Sequence, residues 1–103
     1  MEDIRDIIRK KPAVMIYFYS TTCSTCQALR PKVRSMVTGS FPLMEFVEVN
    51  SEDDPTLTAE MSIFAAPTIV VFFEGKEYIR ESRYASVDLL SDKISKYYTM
   101  LFN

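Results

Sequence analysis

The chain has 103 residues, 48% of them apolar, with six Tyr, seven Phe, two Cys, no His and a net charge of −2. That length suits one domain spanning 1–103 with a real core and leaves no room for a second. The near-neutral charge sets up no field for nucleic acid or an anionic membrane, the missing His removes the usual general base and commonest metal ligand, and two Cys are too few for a disulfide-stapled scaffold.

Residues 2–10 place Ile4, Ile7 and Ile8 on one helical face, with acids first and bases last to suit the helix dipole. Pro12 ends that helix. The apolar, aromatic-rich run Ala13–Tyr19 suits a strand buried on both faces. Ser20, Thr21 and Thr22 are hydroxyl residues able to cap a helix, and residues 23–38 carry Cys26, Leu29, Val33, Met36 and Val37 at helical spacing. Gly39 marks the expected end of that helix, and Pro31 predicts a kink inside it. Residues 43–49 read as a second strand, parallel to the first across a helical crossover.

Asp54 followed by Pro55 is a good start for a short helix reaching about residue 62. Thr68–Phe73, a turn at Glu74-Gly75, and residues 76–81 read as an antiparallel hairpin. Ser86 caps a last helix that buries Val87, Leu90, Ile94, Tyr97 and Leu101. The order α-β-α-β-α-β-β-α predicts a three-layer α/β sandwich. Arg9-Lys10-Lys11, the following apolar run and Cys23 imitate a lipoprotein signal. That run is short, Thr21-Thr22 suit a cleavage site poorly, and Glu2, Asp3 and Asp6 precede the bases, so the chain reads as cytoplasmic. No run reaches the ~20 apolar residues of a membrane helix.

A lone C-x-x-C serves zinc, iron–sulfur and redox sites alike, and its position is what makes Cys23-Ser24-Thr25-Cys26 informative. It follows a strand and opens a helix, where backbone N–H groups and the helix dipole favour a thiolate. Cys23 therefore reads as the nucleophile. Cys26, one turn on and pointing back to the same end, reads as the thiol that resolves a mixed disulfide. A structural zinc site needs four ligands, and this chain offers two thiols. A metal or cluster shared between two copies, and two thiols packed as small apolar groups, remain as competing readings.

Three features together resemble the thioredoxin family over nearly the whole chain after residue 12. The C-x-x-C follows a short apolar strand, Pro31 stands five residues beyond Cys26, and Ala66-Pro67-Thr68 precedes a strand and a Gly-containing turn at Glu74-Gly75-Lys76. The resemblance implies a thioredoxin-like sandwich with a four-stranded mixed sheet, the family's first strand being absent and one sheet edge exposed. It implies a cis Ala66–Pro67 bond lying against the cysteines. It also implies thiol–disulfide oxidoreductase activity on protein disulfides, supplied by an electron donor, with the Cys23–Cys26 disulfide as the only redox group and no bound cofactor.

Departures from the family pattern fall around the cysteines. Thr22 replaces the usual Trp, Ser24-Thr25 the usual Gly-Pro, and Tyr17 the buried aspartate. Phe46 stands for the lysine that faces that aspartate, which leaves no obvious protein base for Cys26 and gives that task to water or a nearby Glu. Where the family has a glycine beside the site, Arg83 and Tyr84 narrow the groove or favour acidic partners. Thr22, Ser24, Ala66, Pro67, Arg83 and Tyr84 are thus the expected substrate-binding residues. A binding module with little turnover is the other functional reading. Arg30, Lys32 and Arg34 read as solvating charges, and Glu52-Asp53-Asp54 as a solvated loop with a helix cap. Tyr97, Tyr98, Met100, Leu101 and Phe102 form an apolar tail packed on the sheet, with Met100 and Phe102 free for contact in a weak homodimer of an otherwise monomeric protein.

Overall fold

Two strands with almost no polar side chains lie at the centre of the molecule. In the computed structural model, which describes residues 3–82 and 86–102, β1 (Ala13–Tyr19) is buried from Ala13 to Phe18 and β3 (Thr68–Phe73) along its whole length. Only strands covered on both faces sustain such unbroken apolar runs. β2 (Glu45–Asn50) pairs parallel with β1, and β3 and β4 (Lys76–Ser82) complete the order β2-β1-β3-β4. The expected four-stranded mixed sheet is therefore present, and the outer edge of β2 pairs with no other strand among the described residues.

The pleat of β1 divides the core. Ala13, Met15 and Tyr17 face α2 (Ser24–Ser40) and α4 (Val87–Phe102), packing with Val33, Val37, Leu90 and Ile94. Val14, Ile16 and Phe18 face α1 (Ile4–Lys10) and α3 (Pro55–Glu60), packing with Ile4, Ile7, Ile8 and Leu57. The three layers follow directly. Asp3 caps α1 through a 2.8 Å bond from the Arg5 N–H, Asp54 caps α3 by accepting from Leu57, and the Ser86 hydroxyl accepts from Leu89 at α4.

Several boundaries differ from expectation. α2 runs unbroken through Pro31 and includes Gly39; its end is made by Phe41, whose N–H donates to the Val37 carbonyl at 2.8 Å. Gly39 does not adopt positive φ, so it is not the left-handed stop that the sequence suggested. β2 starts at Glu45 rather than 43, because Met44 is still tied to Phe41 by a turn bond. α3 stops at Glu60, where Met61 caps it and Ser62 turns left-handed at φ 56°. β4 carries a bulge between its pairings to Val71 and Phe72, which leaves Tyr78 unpaired in the ladder. Tyr78 packs instead on Tyr97, with ring centroids 4.9 Å apart. In the tail, Tyr98 meets Phe41 and Phe102 and accepts a bond from the Leu43 N–H, while Met100 stays exposed. No helix among the described residues is long and apolar enough to cross a membrane.

Candidate active site

β1 ends at Tyr19, and the hydroxyl-rich loop after it carries the chain into α2, so Cys23 falls at the helix start. Cys23 is the N-cap of α2, and the Cys26 N–H donates to its Sγ at 3.1 Å. Free N–H groups at a helix start stabilise negative charge placed there, which for this residue is a thiolate. Cys23 and Cys26 are joined as a disulfide with Cα atoms 5.3 Å apart. Their surroundings differ sharply. Cys23 is partly exposed, whereas Cys26 is only 1% accessible and is enclosed by the helix and sheet.

Across from the pair stands the turn that leads into β3. The Ala66–Pro67 bond is cis, Pro67 is buried, and the Ala66 carbonyl oxygen lies 3.6 Å from Cys23 Sγ. The Thr68 hydroxyl donates to the Ala65 carbonyl at 2.7 Å and steadies that turn. Thr22 and Ser24 are exposed on either side of Cys23. Thr22 and Ser24 thus adjoin Cys23 along the chain, and Ala66, with Pro67 next in the turn, reaches it through its carbonyl. Arg83 and Tyr84 lie outside the described residues.

Three supports escaped the sequence reading. The first is Tyr17, which is fully buried and donates its hydroxyl to the Cys26 carbonyl at 2.9 Å. Burial pushes its phenol up to about 12, with Arg30 pulling down and Glu48 pushing up more weakly. Tyr17 is therefore a neutral donor throughout the physiological range.

The second is Glu48. The β1–β2 register sets Glu48, not Phe46, opposite Tyr17; Phe46 pairs with Met15, its ring centroid 6.3 Å from that of Tyr17. Placing Phe46 opposite Tyr17 from sequence was a register error of two residues. Glu48 accepts from Arg30 at 2.8 Å and also from Arg34, so these two cations are not merely solvating. The Arg30 guanidinium also lies 4.1 Å from the Tyr19 ring centroid, a stacking cation–π contact. Partial burial pushes the Glu48 carboxyl up, but the hydrogen bonds from Arg30 and Arg34 outweigh it and hold the pKa below its usual range.

A carboxylate whose pKa is depressed on folding stabilises the fold above its unfolded pKa, about 4.3 for Glu, and that contribution disappears as pH falls through the lower folded value. Glu48→Gln is accordingly expected to lower the melting temperature at pH 7 by a few degrees. The gap to wild type should narrow as pH falls below the ordinary Glu value of about 4.3. Thermal melts of both proteins across this range test it, and a gap independent of pH would exclude the ionic contribution.

The third is Glu52, in the acidic run read as a solvated loop. Its carboxylate accepts from the Ser20 hydroxyl at 2.8 Å, from the Thr21 hydroxyl at 3.1 Å and from the Thr21 N–H at 3.3 Å. It thereby ties the loop before Cys23 to the end of β2. Those bonds, Ser20's first, hold the exposed Glu52 carboxyl below its usual pKa. Among the described residues no group of three or more His, Cys, Asp or Glu is placed to hold a metal ion.

A sandwich of this topology, with a cysteine pair opening the helix after the central strand and a cis proline facing it, defines a thiol–disulfide oxidoreductase. Comparison with known proteins agrees. The thioredoxin family model matches residues 2–96. A thioredoxin-like protein of Bacillus subtilis, YdfQ, is 27% identical over 97 residues, covering 94% of this chain and 86% of that one. Thioredoxin-2 of Pyricularia oryzae is 28% identical over 76 residues, 74% of this chain but 44% of the longer relative. The oxidised mitochondrial thioredoxin 3 of Saccharomyces cerevisiae superposes with a TM-score of 0.81 at 24% identity, over 90% of this chain and 86% of that one. The chain belongs to the thioredoxin family.

Proposed function

We propose that this chain reduces disulfides in partner proteins, with Cys23 as the attacking thiolate and Cys26 as the resolving thiol. The observation that carries the assignment is the unequal burial of the pair: Cys23 is open to a partner, while Cys26 is reachable only by Cys23. In the reduced protein the Cys23 thiolate attacks one sulfur of the partner disulfide. The partner's S–S bond breaks, a Cys23–partner bond forms, and the departing partner thiolate takes a proton from solvent. Cys26 then loses its proton, its thiolate attacks Cys23 Sγ, and the second partner thiol leaves. Two electrons have passed to the partner, and Cys23–Cys26 is the disulfide that remains.

Tyr17, neutral at physiological pH, does not take the Cys26 proton. The exchange needs no bound cofactor and no second copy of the chain, and a dithiol donor returns the pair to its reduced form. Thr22, Ser24 and the 65–66 backbone flank Cys23, where an extended partner segment can lie against main-chain groups. A reducing role fits a cytoplasmic setting, in which a disulfide is a transient, working bond. The test is dithiol-driven reduction of a protein disulfide by wild type and Cys23→Ser. Wild type should accelerate it well above the free dithiol and Cys23→Ser should not; equal rates for the two would refute the assignment.

A further inference from the structure

The most exposed large apolar side chain of the described residues lies just before the cis-proline turn that faces the reactive pair. Phe64 is 91% accessible, two residues before the Ala66 whose carbonyl faces Cys23 Sγ. An open aromatic ring offers its apolar face, and the negative charge of its π-system, to a molecule that lies against it. Phe64 forms one wall of a cavity of about 310 Å³ that runs from Ala66 along Ile63 and Thr58 to Ser20 and Glu52. Ser20 accepts the Cys23 N–H through its carbonyl, so the cavity adjoins the cysteine loop on one side and the cis-proline turn on the other.

Among the described residues that line this cavity, the charge has one sign. Glu52 lines it and stays anionic, because its hydrogen-bond donors, Ser20 and Thr21, are uncharged. Asp53 is exposed beside it. Among the described residues no cation pairs with either. The described arginines are committed elsewhere: Arg5 to Asp3 and Glu60, Arg9 to Asp6, Arg80 to Glu77 and the Ser62 carbonyl, Arg30 and Arg34 to Glu48. An open aromatic face and a carboxylate with no cationic partner among the described residues, lining the same cavity, suit one side-chain chemistry, a long cation with an aliphatic stem.

We propose that this cavity is a specificity pocket for a lysine or arginine flanking the target cysteine, so that the protein prefers partner disulfides set in basic sequence. The cation meets Glu52 while its stem and charge lie over Phe64. This deepens the reductase reading above and rests on it for the chemistry, but the pocket itself is a binding site that can be tested without exchange.

The test uses two peptide disulfides that differ only in carrying Lys or Glu on both sides of the cysteine. Reduced wild type should react with the Lys peptide about tenfold faster at low ionic strength, the size that one exposed ion pair and one exposed cation–π contact supply together. The ratio should shrink in about 0.3 M salt as the pair is screened. Glu52→Gln, which keeps an acceptor oxygen for Ser20 and Thr21 but removes the charge, should bring the ratio to about threefold or less, and Phe64→Ala should reduce it as well. Asp92→Asn, on exposed α4, should leave it unchanged.

A wild-type ratio of one, or a ratio that Glu52→Gln does not move, overturns the pocket while leaving the reductase standing. Serine-for-cysteine versions of both peptides, titrated by NMR, separate the other failure. If neither disulfide reacts but the Lys peptide still shifts the Phe64 and Glu52 signals, the pocket stands and the exchange reading falls. If the Lys peptide neither reacts nor binds, both fall.

Discussion

Cys26→Ser is expected to stop exchange halfway and leave Cys23 bonded to its partner. The wild-type cycle depends on Cys26 lying one helical turn from Cys23, with Cα atoms 5.3 Å apart, so that resolution is intramolecular and outruns any external thiol. Serine preserves the size of the side chain and its burial but provides no nucleophile at neutral pH. The first attack proceeds at its normal rate because Cys23 keeps its place at the N-cap of α2, including the N–H donated by residue 26. Turnover should therefore fall to the background of the free dithiol, while a mixed disulfide accumulates to about one partner per chain, readable as a mass shift that dithiothreitol reverses. Cys23→Ser should form none, since the buried Cys26 is closed to a macromolecular partner. Mixed disulfides forming on Cys26 in that variant at comparable yield would reverse the two roles.

How much of this arrangement was legible beforehand depended on whether it is written locally. The unbroken apolar runs of β1 and β3 announce a doubly covered sheet centre, and the position of Cys23 between a strand and a helix announces its chemistry. Both are properties of neighbouring residues. The supports beneath the cysteines are not. Tyr17 looks like any aromatic of a buried strand, and only the placing of α2 over β1 brings its hydroxyl to the Cys26 carbonyl. Glu48 becomes the partner of Arg30 and Arg34 through the β1–β2 register, and a two-residue error in that register put Phe46 in its place. A two-residue slip leaves every side chain of Glu45–Asn50 on the same face of the sheet, so hydrophobic pattern alone does not separate the two registers. Glu52 is similar: an acid in an acidic loop looks solvated until the loop before Cys23 folds onto it.

Tyr17 is where stability and chemistry meet, and its two truncations should behave very differently. Tyr17→Phe keeps the buried ring and its packing on Phe46 but removes the donor to the Cys26 carbonyl. The loss of one buried hydrogen bond should cost about 1 kcal/mol, seen as a fall of about 4–8 °C in melting temperature for a domain of this size. Tyr17→Ala also removes the ring from the core between β1, α2 and α4, and should cost about 3–5 kcal/mol, a large share of the total stability of a small domain. The sign of the pH dependence separates the hydroxyl from the ring. The Tyr17 phenol is raised to about 12 in the folded chain from an ordinary value of 10.0. Between these limits the unfolded chain releases the proton and the folded chain holds it, so stability that is complete below pH 10 is lost as pH rises toward 12. Phenylalanine has no such proton. The advantage of wild type over Tyr17→Phe should therefore be constant from neutrality to about pH 9 and shrink above pH 10. Urea unfolding of the two proteins at pH 7 and pH 10.5 measures this directly. An advantage that stays the same at both values would mean that Tyr17 titrates normally, and the hydroxyl would then not be the buried donor that holds the first turn of α2 in place.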